Sequence, residues 1–199
     1  GDVGALGLLY QWGRKDPFLG SSSITSDIEA KSTITWPSAV SSSSSRGTVA
    51  YATEHPTTFI TYNSNNYDWY YSGSSSTDNT RWQSTKTIYD PCPAGWRVPD
   101  GGDDNVWAKA SGMSSSFDTS SLWNSSAEGV NFSSMFGEDE TIWYPLSGYL
   151  DSSLYDVGGY GYYWSCTPDN NCLYFQSSSG NPSYGRPLSY GMSVRCQKE

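Results

Sequence analysis

The side chains large enough to fill a core are mostly aromatic in this chain. Leu, Ile, Val and Phe together number only about 30 of 199 residues, and with a formal net charge of -9 that falls in the composition range of disordered chains. Nine Trp and 16 Tyr reverse the reading, because each ring can bury roughly 150–250 Å². The expected product is a folded unit whose core is aromatic and supplemented by aliphatics. One domain over residues 1–199 accounts for the length, and such a domain buries about 70% of the surface its unfolded form exposes.

Charge removes some partners. With 20 acidic residues against 11 scattered Lys and Arg, and a pI near 4.4, the chain has no basic stripe to neutralise phosphates, so a nucleic-acid partner is not expected. No apolar run approaches the roughly 18 residues of a membrane span, and Gly1 to Tyr10 lacks the basic start and long apolar middle of a signal peptide. Direct membrane insertion is not expected either. Four cysteines without a CxxC pair, and a single histidine, His55, do not make a zinc site. Disulfides are the better use, and they imply an oxidising compartment. Three pairings are open. Cys92 and Cys196 lie beside the two segments that read as most structured, and Cys166 and Cys172 are separated by the turn-forming Thr-Pro-Asp-Asn-Asn. Cys92–Cys196 and Cys166–Cys172 are therefore the expected bridges. They contribute roughly 4–5 and 2 kcal/mol in the chain-entropy account.

Regular structure is short and interrupted. Leu8 to Trp12 reads as a strand that ends in a charged, Pro-bearing turn, and Gly20 to Arg46 is a Ser-rich excursion with a short strand near Ile34 to Trp36. Thr58 to Tyr62 alternates as a strand, and Asp68 to Tyr71 is aromatic enough to pack. In the middle, Asp90-Pro-Cys-Pro-Ala-Gly-Trp-Arg-Val-Pro99 reads as a rigid extended entry, with Trp96 and Val98 on one face and Arg97 opposite. The acidic run that follows, Asp100 to Asp104, predicts a helix over about Asp103 to Gly112 with carboxylates at its start. Calcium is the sharper chemistry for the same run, but the spacing does not match an EF-hand loop. No cofactor is expected otherwise. The last third reads as strands at Thr141–Leu146, Gly161–Ser165, Cys172–Gln176 and Gly191–Cys196, with Leu173 and Phe175 inside and Tyr174 and Gln176 outside.

Together these phrases resemble the Fibrobacter succinogenes major paralogous domain family, found in surface proteins of gut Bacteroides-like bacteria. The resemblance rests on Leu8 to Arg14, on Asp90 to Pro99, on Tyr163-Trp164-Ser165, and on Gly191 with Ser193 to Cys196. It implies an α+β, C-type-lectin-like fold that is loop-rich, with short helices and small antiparallel sheets. In such a fold a terminal strand pair and a disulfide from the middle to the last strand support an irregular surface. The C-terminal layout is also similar to the variable proteins of diversity-generating retroelements, in which Asn codons mutate to Tyr, Ser, Asp, Gly, Cys, Arg or Leu. Cys166 and Cys172 stand where the family has small or polar residues.

Residues 160–196 mix Tyr with Ser, Gly and Asn, the composition that recognition loops use for rigid contact area and adaptable hydrogen bonds. The candidate ligand contacts are Tyr162, Asp169, Asn170, Asn171, Tyr174 and Gln176, continued by Ser178, Asn181, Tyr184, Arg186 and Tyr190. Tyr rings stack on sugars or fill protein pockets, and Arg186 suits a carboxylate. The function expected is that of a non-enzymatic extracellular binding module, a bacterial surface adhesin or a phage tail receptor-binding protein, which meets a glycan or a protein receptor on a cell surface. A pilin-like structural subunit is the alternative. Catalysis ranks below both. Formylglycine-generating enzymes share a phrase like Trp96 to Pro99, but the acidic pattern that follows it is replaced here and no reactive cysteine pair is evident. A glycosidase would have to use Glu138, Asp139 and Glu140, and a hydrolytic triad would have to use His55.

Overall fold

Strands in this molecule run two to five residues, as a sequence broken every few positions by Ser, Gly and Pro requires. The computed structural model describes residues 6–21, 39–62, 67–73, 78–102, 105–113, 115–124, 129–132, 142–169 and 171–199. In chain order the strands are β1 (Leu8–Gln11), β2 (Phe18–Leu19), β3 (Val40–Ser41), β4 (Ile60–Thr61), β5 (Trp96–Arg97), β6 (Trp123–Asn124), β7 (Gly129–Asn131), β8 (Trp143–Pro145), β9 (Tyr149–Asp151), β10 (Ser153–Tyr155), β11 (Gly161–Trp164), β12 (Cys172–Phe175), β13 (Gly180–Tyr184), β14 (Gly191–Ser193) and β15 (Gln197–Lys198). The helices are α1 (Val49–Glu54) and α2 (Val106–Ser111). The fold is sheet-rich, and among the described residues helix contributes these two short pieces and Leu6. The strand expected near Ile34 to Trp36 lies outside them.

An eight-stranded sheet organises the molecule in the order β10-β9-β14-β11-β12-β13, with β1 also on β14 and β2 on β1. β14 is its hub. It pairs antiparallel with β1 through Leu9–Ser193 and Gln11–Gly191, meets β11 in parallel at Tyr163–Ser193, and meets β9 at Gly191–Leu150. Side chains alternate across a strand, so Tyr162, Trp164, Cys172 and Met192 enter one core cluster with Trp12, Trp82, Val98 and Leu188. Tyr163, Leu173 and Phe175 enter a second with Trp107, Phe132, Tyr144 and Leu146. Leu173 and Phe175 are inside, as expected, but all four residues of β11 are buried because both faces of the sheet are covered.

The aromatic core is as composition requires. Trp12, Trp69, Trp82 and Trp164 are among the largest fully buried side chains, and each indole N–H has a partner: Ser165 O at 3.0 Å, Trp12 O at 2.8 Å, Tyr89 O at 2.8 Å and Tyr10 O at 2.6 Å, respectively. Those bonds remove the cost of burying a donor. They also tie the first strand to the loops and to the main sheet.

The Asp90 to Pro99 phrase is held by its own first residue. The buried Asp90 carboxylate accepts from the Cys92 N–H at 2.8 Å, the Val98 N–H at 2.9 Å and Lys86 Nζ at 3.0 Å. Val98 is buried and Trp96 is exposed, at the pairing of β5 with β15. Cys92 and Cys196 are disulfide-bonded. Cys166 and Cys172 are not: both are buried free thiols. The β11–β12 register sets Trp164, not Cys166, opposite Cys172, and a bridge needs Cβ atoms roughly 3.8 Å apart. The two thiols face different partners, Asp100 Oδ1 at 3.8 Å for Cys166 and Tyr184 O at 3.2 Å for Cys172.

The expected helix begins later than the acids predicted. Asn105 caps α2 by accepting from the Ala108 N–H at 2.6 Å, and Gly112 ends it in the left-handed region at φ 70. Of the acidic run, both Asp100 oxygens accept from the Arg97 guanidinium at 2.7 and 2.6 Å. Asp103 and Asp104 lie outside the described residues.

Candidate ligand-binding surface

Tyr162 sits opposite Tyr174 across β11 and β12, and Cys172 opposite Tyr184 across β12 and β13. The same alternation that buries Leu173 and Phe175 therefore puts Tyr162 and Tyr174 on the other face of the sheet, where Tyr149, Tyr160, Tyr184 and Tyr190 pack around the same cluster, each half-buried. The rings form two columns. In one, Tyr174 stacks between Tyr160 and Tyr184, at 5.8 and 4.9 Å. In the other, Tyr149 stacks between Tyr155 and Tyr190, at 5.4 and 4.8 Å. Tyr162 joins them, tilted on Tyr174 and edge-on to Tyr149, both at 5.4 Å. Stacked rings of this kind add roughly 0.5–1.5 kcal/mol per pair beyond their buried area.

Arg186 lies at the junction. Its guanidinium is over Tyr162 and Tyr184, 4.9 Å from each centroid, and 6.0 Å from that of Tyr149. Its Nη2 donates to Tyr162 Oη at 2.8 Å. The backbone beneath is fixed by Asn171, which donates through Nδ2 to Arg186 O at 2.7 Å and accepts at Oδ1 from the Arg186 N–H at 3.0 Å. One side chain thus supplies the paired bonds that a neighbouring strand would give. Burial pushes the phenol pKa values of Tyr149, Tyr162 and Tyr174 up, and that of Tyr190 up to about 12. Asp151 and Asp156 add to the rise in part of this group, so their negative charge is felt on the same surface.

The sequence-derived candidates separate into three groups. Tyr174, Tyr184, Arg186 and Tyr190 are half-buried and contiguous, and they form the surface. Tyr162 at 1% exposure and Asn171 at 3% are corrections, because they support that surface from below and offer no contact area of their own. Asp169 is exposed, in the turn that Asn171 closes through Pro168 O at 3.0 Å. Gln176 and Ser178 are at the opposite end of the β12–β13 hairpin from Arg186, where Gln176 Nε2 bonds Ser179 Oγ and Gln176 O accepts from Thr119 Oγ1. Asn181 is opposite Tyr174, with its Oδ1 engaged by the Ser183 N–H at 2.8 Å. Asn170 lies outside the described residues.

Sequence reading missed half of the surface. Tyr149 and Tyr155 pair across the β9–β10 hairpin and flank Leu150 and Leu154, an alternation that was available in the sequence. Tyr62 and Tyr67, with ring centroids 5.1 Å apart, come from the first half of the chain, and Tyr67 O accepts from Ser189 N–H beside Tyr190. Nothing local marks them. No family model matches the chain, and neither a curated protein nor a solved structure does.

Among the described residues no group of three His, Cys, Asp or Glu side chains is placed to hold a metal. His55 is exposed, its ring stacked on Tyr51 at 4.1 Å and its Nδ1 against Tyr51 O. Glu138, Asp139 and Glu140 lie outside the described residues. No helix among those residues is long and apolar enough to cross a membrane. A separate hollow of about 300 Å³ between β1 and β8 is lined by Leu6, Leu8, Tyr10, Pro145, Tyr163 and Arg195. Its cation is engaged already, over the Tyr144 ring and on Trp143 O.

Proposed function

We propose that the chain is a non-enzymatic extracellular binding module that meets its ligand with the tyrosine surface around Arg186. The observation that carries this reading is the contiguity of that surface: two ring columns drawn from β9, β10, β12, β13 and the loops beside them meet on a guanidinium. Tyr offers amphipathic contact area that loses little entropy on binding, and the stacking has already ordered these rings. The Cys92–Cys196 bridge fits an oxidising compartment.

A C-type-lectin-like scaffold of the Fibrobacter succinogenes major paralogous domain type is supported by two features. An early strand, β1, pairs with the late strand β14, and a disulfide links the middle of the chain to the end of the last strands. On that scaffold the module serves as a surface adhesin or a phage receptor-binding protein. Retroelement diversification fits positions 174, 181, 184, 186 and 190, which line or border the surface. Asn171 and Cys172 are at 3% and 0% exposure, and changing them would disturb the scaffold. Sequencing of sibling loci tests this: the diversified reading expects substitutions at the five surface positions with 171 and 172 held, and even scatter along the chain ends it.

Binding itself is tested on glycan and protein-receptor arrays, each run with and without a chelator. Binding that survives the chelator and weakens at least about tenfold in a Tyr184→Ala, Tyr190→Ala double variant is expected, since each lost aromatic contact at a binding surface costs roughly 1 kcal/mol or more. Silence on both arrays, or full binding by the double variant, would overturn it.

A further inference from the structure

We infer that Arg186 reads a carboxylate and that the ligand is a glycan bearing carboxylated sugars, of the uronic or sialic acid kind. The inference rests on the binding-module reading above and narrows it to a ligand class.

Three observations carry it. The first is an accounting of charge. Among the described residues the buried or half-buried cations are Arg14, Arg81, Lys86, Arg97 and Arg186. The first four have carboxylate partners in Asp16, Asp68, Asp90 and Asp100. Arg186 has none within 4.0 Å among the described residues. A half-desolvated cation left unpaired at the centre of a recognition surface is a place for an anion from outside.

The second is geometry. Tyr162 and Tyr184 cover the guanidinium, Nη2 is tied to Tyr162 Oη, and Nε is sealed from solvent with no partner. Nη1 makes no hydrogen bond and is not sealed. A guanidinium so clamped leaves Nη1 as the nitrogen open to a ligand, in a fixed direction, and a carboxylate that accepts from it makes a charge-assisted bond.

The third decides between an acidic sugar and an acidic peptide. Asp151 and Asp156 bear electrostatically on the same tyrosines, and the whole chain carries -9. A polyanionic peptide is repelled by both. A sugar that sets one carboxylate among several hydroxyls is served by every part of the surface. Arg186 takes the carboxylate, ring faces take the C–H face, and Asp151 accepts from hydroxyls.

The test uses matched pairs on the unmodified protein, with affinities measured by calorimetry. An oligogalactan ended by a single galacturonate is compared with its carboxyl-reduced twin, and sialyllactose with lactose. The acidic member of one pair is expected to bind at least about tenfold more tightly than its twin, the scale of a charge-assisted hydrogen bond, and the responding pair identifies the sugar. Arg186→Gln is expected to bring the acid down to the level of its twin. Arg186→Lys, which keeps the charge and loses the planar group held over the Tyr162 and Tyr184 rings, is expected to fall between. Equal binding by acid and twin overturns the carboxylate assignment and leaves a glycan-binding module standing. Silence of both pairs beside a hit on the protein array overturns it as well, and leaves a protein-binding module. Silence everywhere removes both readings.

Discussion

Arg81 and Asp68 form an ion pair in which neither side chain is exposed. The Arg81 guanidinium is also within 5.2 Å of the Trp12, Trp69 and Tyr70 ring centroids and donates to Trp12 O at 3.1 Å. Burial pushes the Asp68 pKa up and pulls the Arg81 pKa down, against the attraction of the partner charge. In such a pair, removing one charge leaves the other stranded among rings. Asp68→Asn keeps the shape and removes the counter-charge, so it should cost about 3–5 kcal/mol. For a chain of this size that lowers Tm by roughly 10 °C. Differential scanning calorimetry checks it, and a shift within error would mean that water reaches the pair. Residues of this kind were illegible in the sequence. Arg is usually an exposed residue, and only the assembled fold reveals that Trp12, Trp69 and Asp68 surround this one.

The elements β5 and β15 are two residues each and pair only with one another. A pairing that short is not stable alone, so the covalent link beside it matters. Cys92 and Cys196 are 104 residues apart, and closing a loop of that length stabilises by roughly 4–5 kcal/mol in the chain-entropy account. Reduction should lower the denaturant midpoint accordingly. Thiol counting tests the cysteine assignment as a whole: none reactive in the native protein, two after unfolding without reductant, four with it. Fewer than two in the unreduced, unfolded chain would mean that Cys166 and Cys172 are oxidised after all. Other elements were legible to different degrees. The strands at Trp143–Pro145, Gly161–Trp164, Cys172–Phe175 and Gly191–Ser193 came directly from alternation. β13 did not, because Pro182 argues against a strand. Pro is tolerated there because β13 ends the sheet path and its outer edge is met only at Gly180, by Phe117, among the described residues. α1 was missed because a six-residue helix that buries only Ala52 has almost no periodic signal. On β11 both faces are covered, so a period of two could not separate the buried Tyr162 from a surface tyrosine.

Across the whole molecule, the substitution of aromatics for aliphatics makes stability depend on protons at high pH. Burial raises the phenol pKa of Tyr10, Tyr144, Tyr149, Tyr162, Tyr163 and Tyr174, takes Tyr190 up to about 12, and raises the thiol pKa of Cys172 and, to about 11, of Cys166. Unfolded, the same groups titrate near their ordinary values of 9.0 for thiol and 10.0 for phenol. Below about pH 8 they are protonated in both states and add no pH dependence. Above it the unfolded chain releases protons that the folded chain still holds. The unfolded state then binds fewer protons, and stability falls with rising pH. The loss begins at the ordinary values and continues until pH passes the raised ones, beyond about 11 for Cys166 and about 12 for Tyr190. Tm should therefore hold level from neutrality to about pH 8 as far as these groups are concerned, then drop with each further step. The seven tyrosines named should add their share of the ultraviolet tyrosinate band in step with unfolding rather than ahead of it. If the whole of that band instead appeared near pH 10 in a chain still folded by circular dichroism, these seven tyrosines would be freely hydrated. The packed columns around Arg186 would then not exist in solution, and the binding surface built on them would lose its basis.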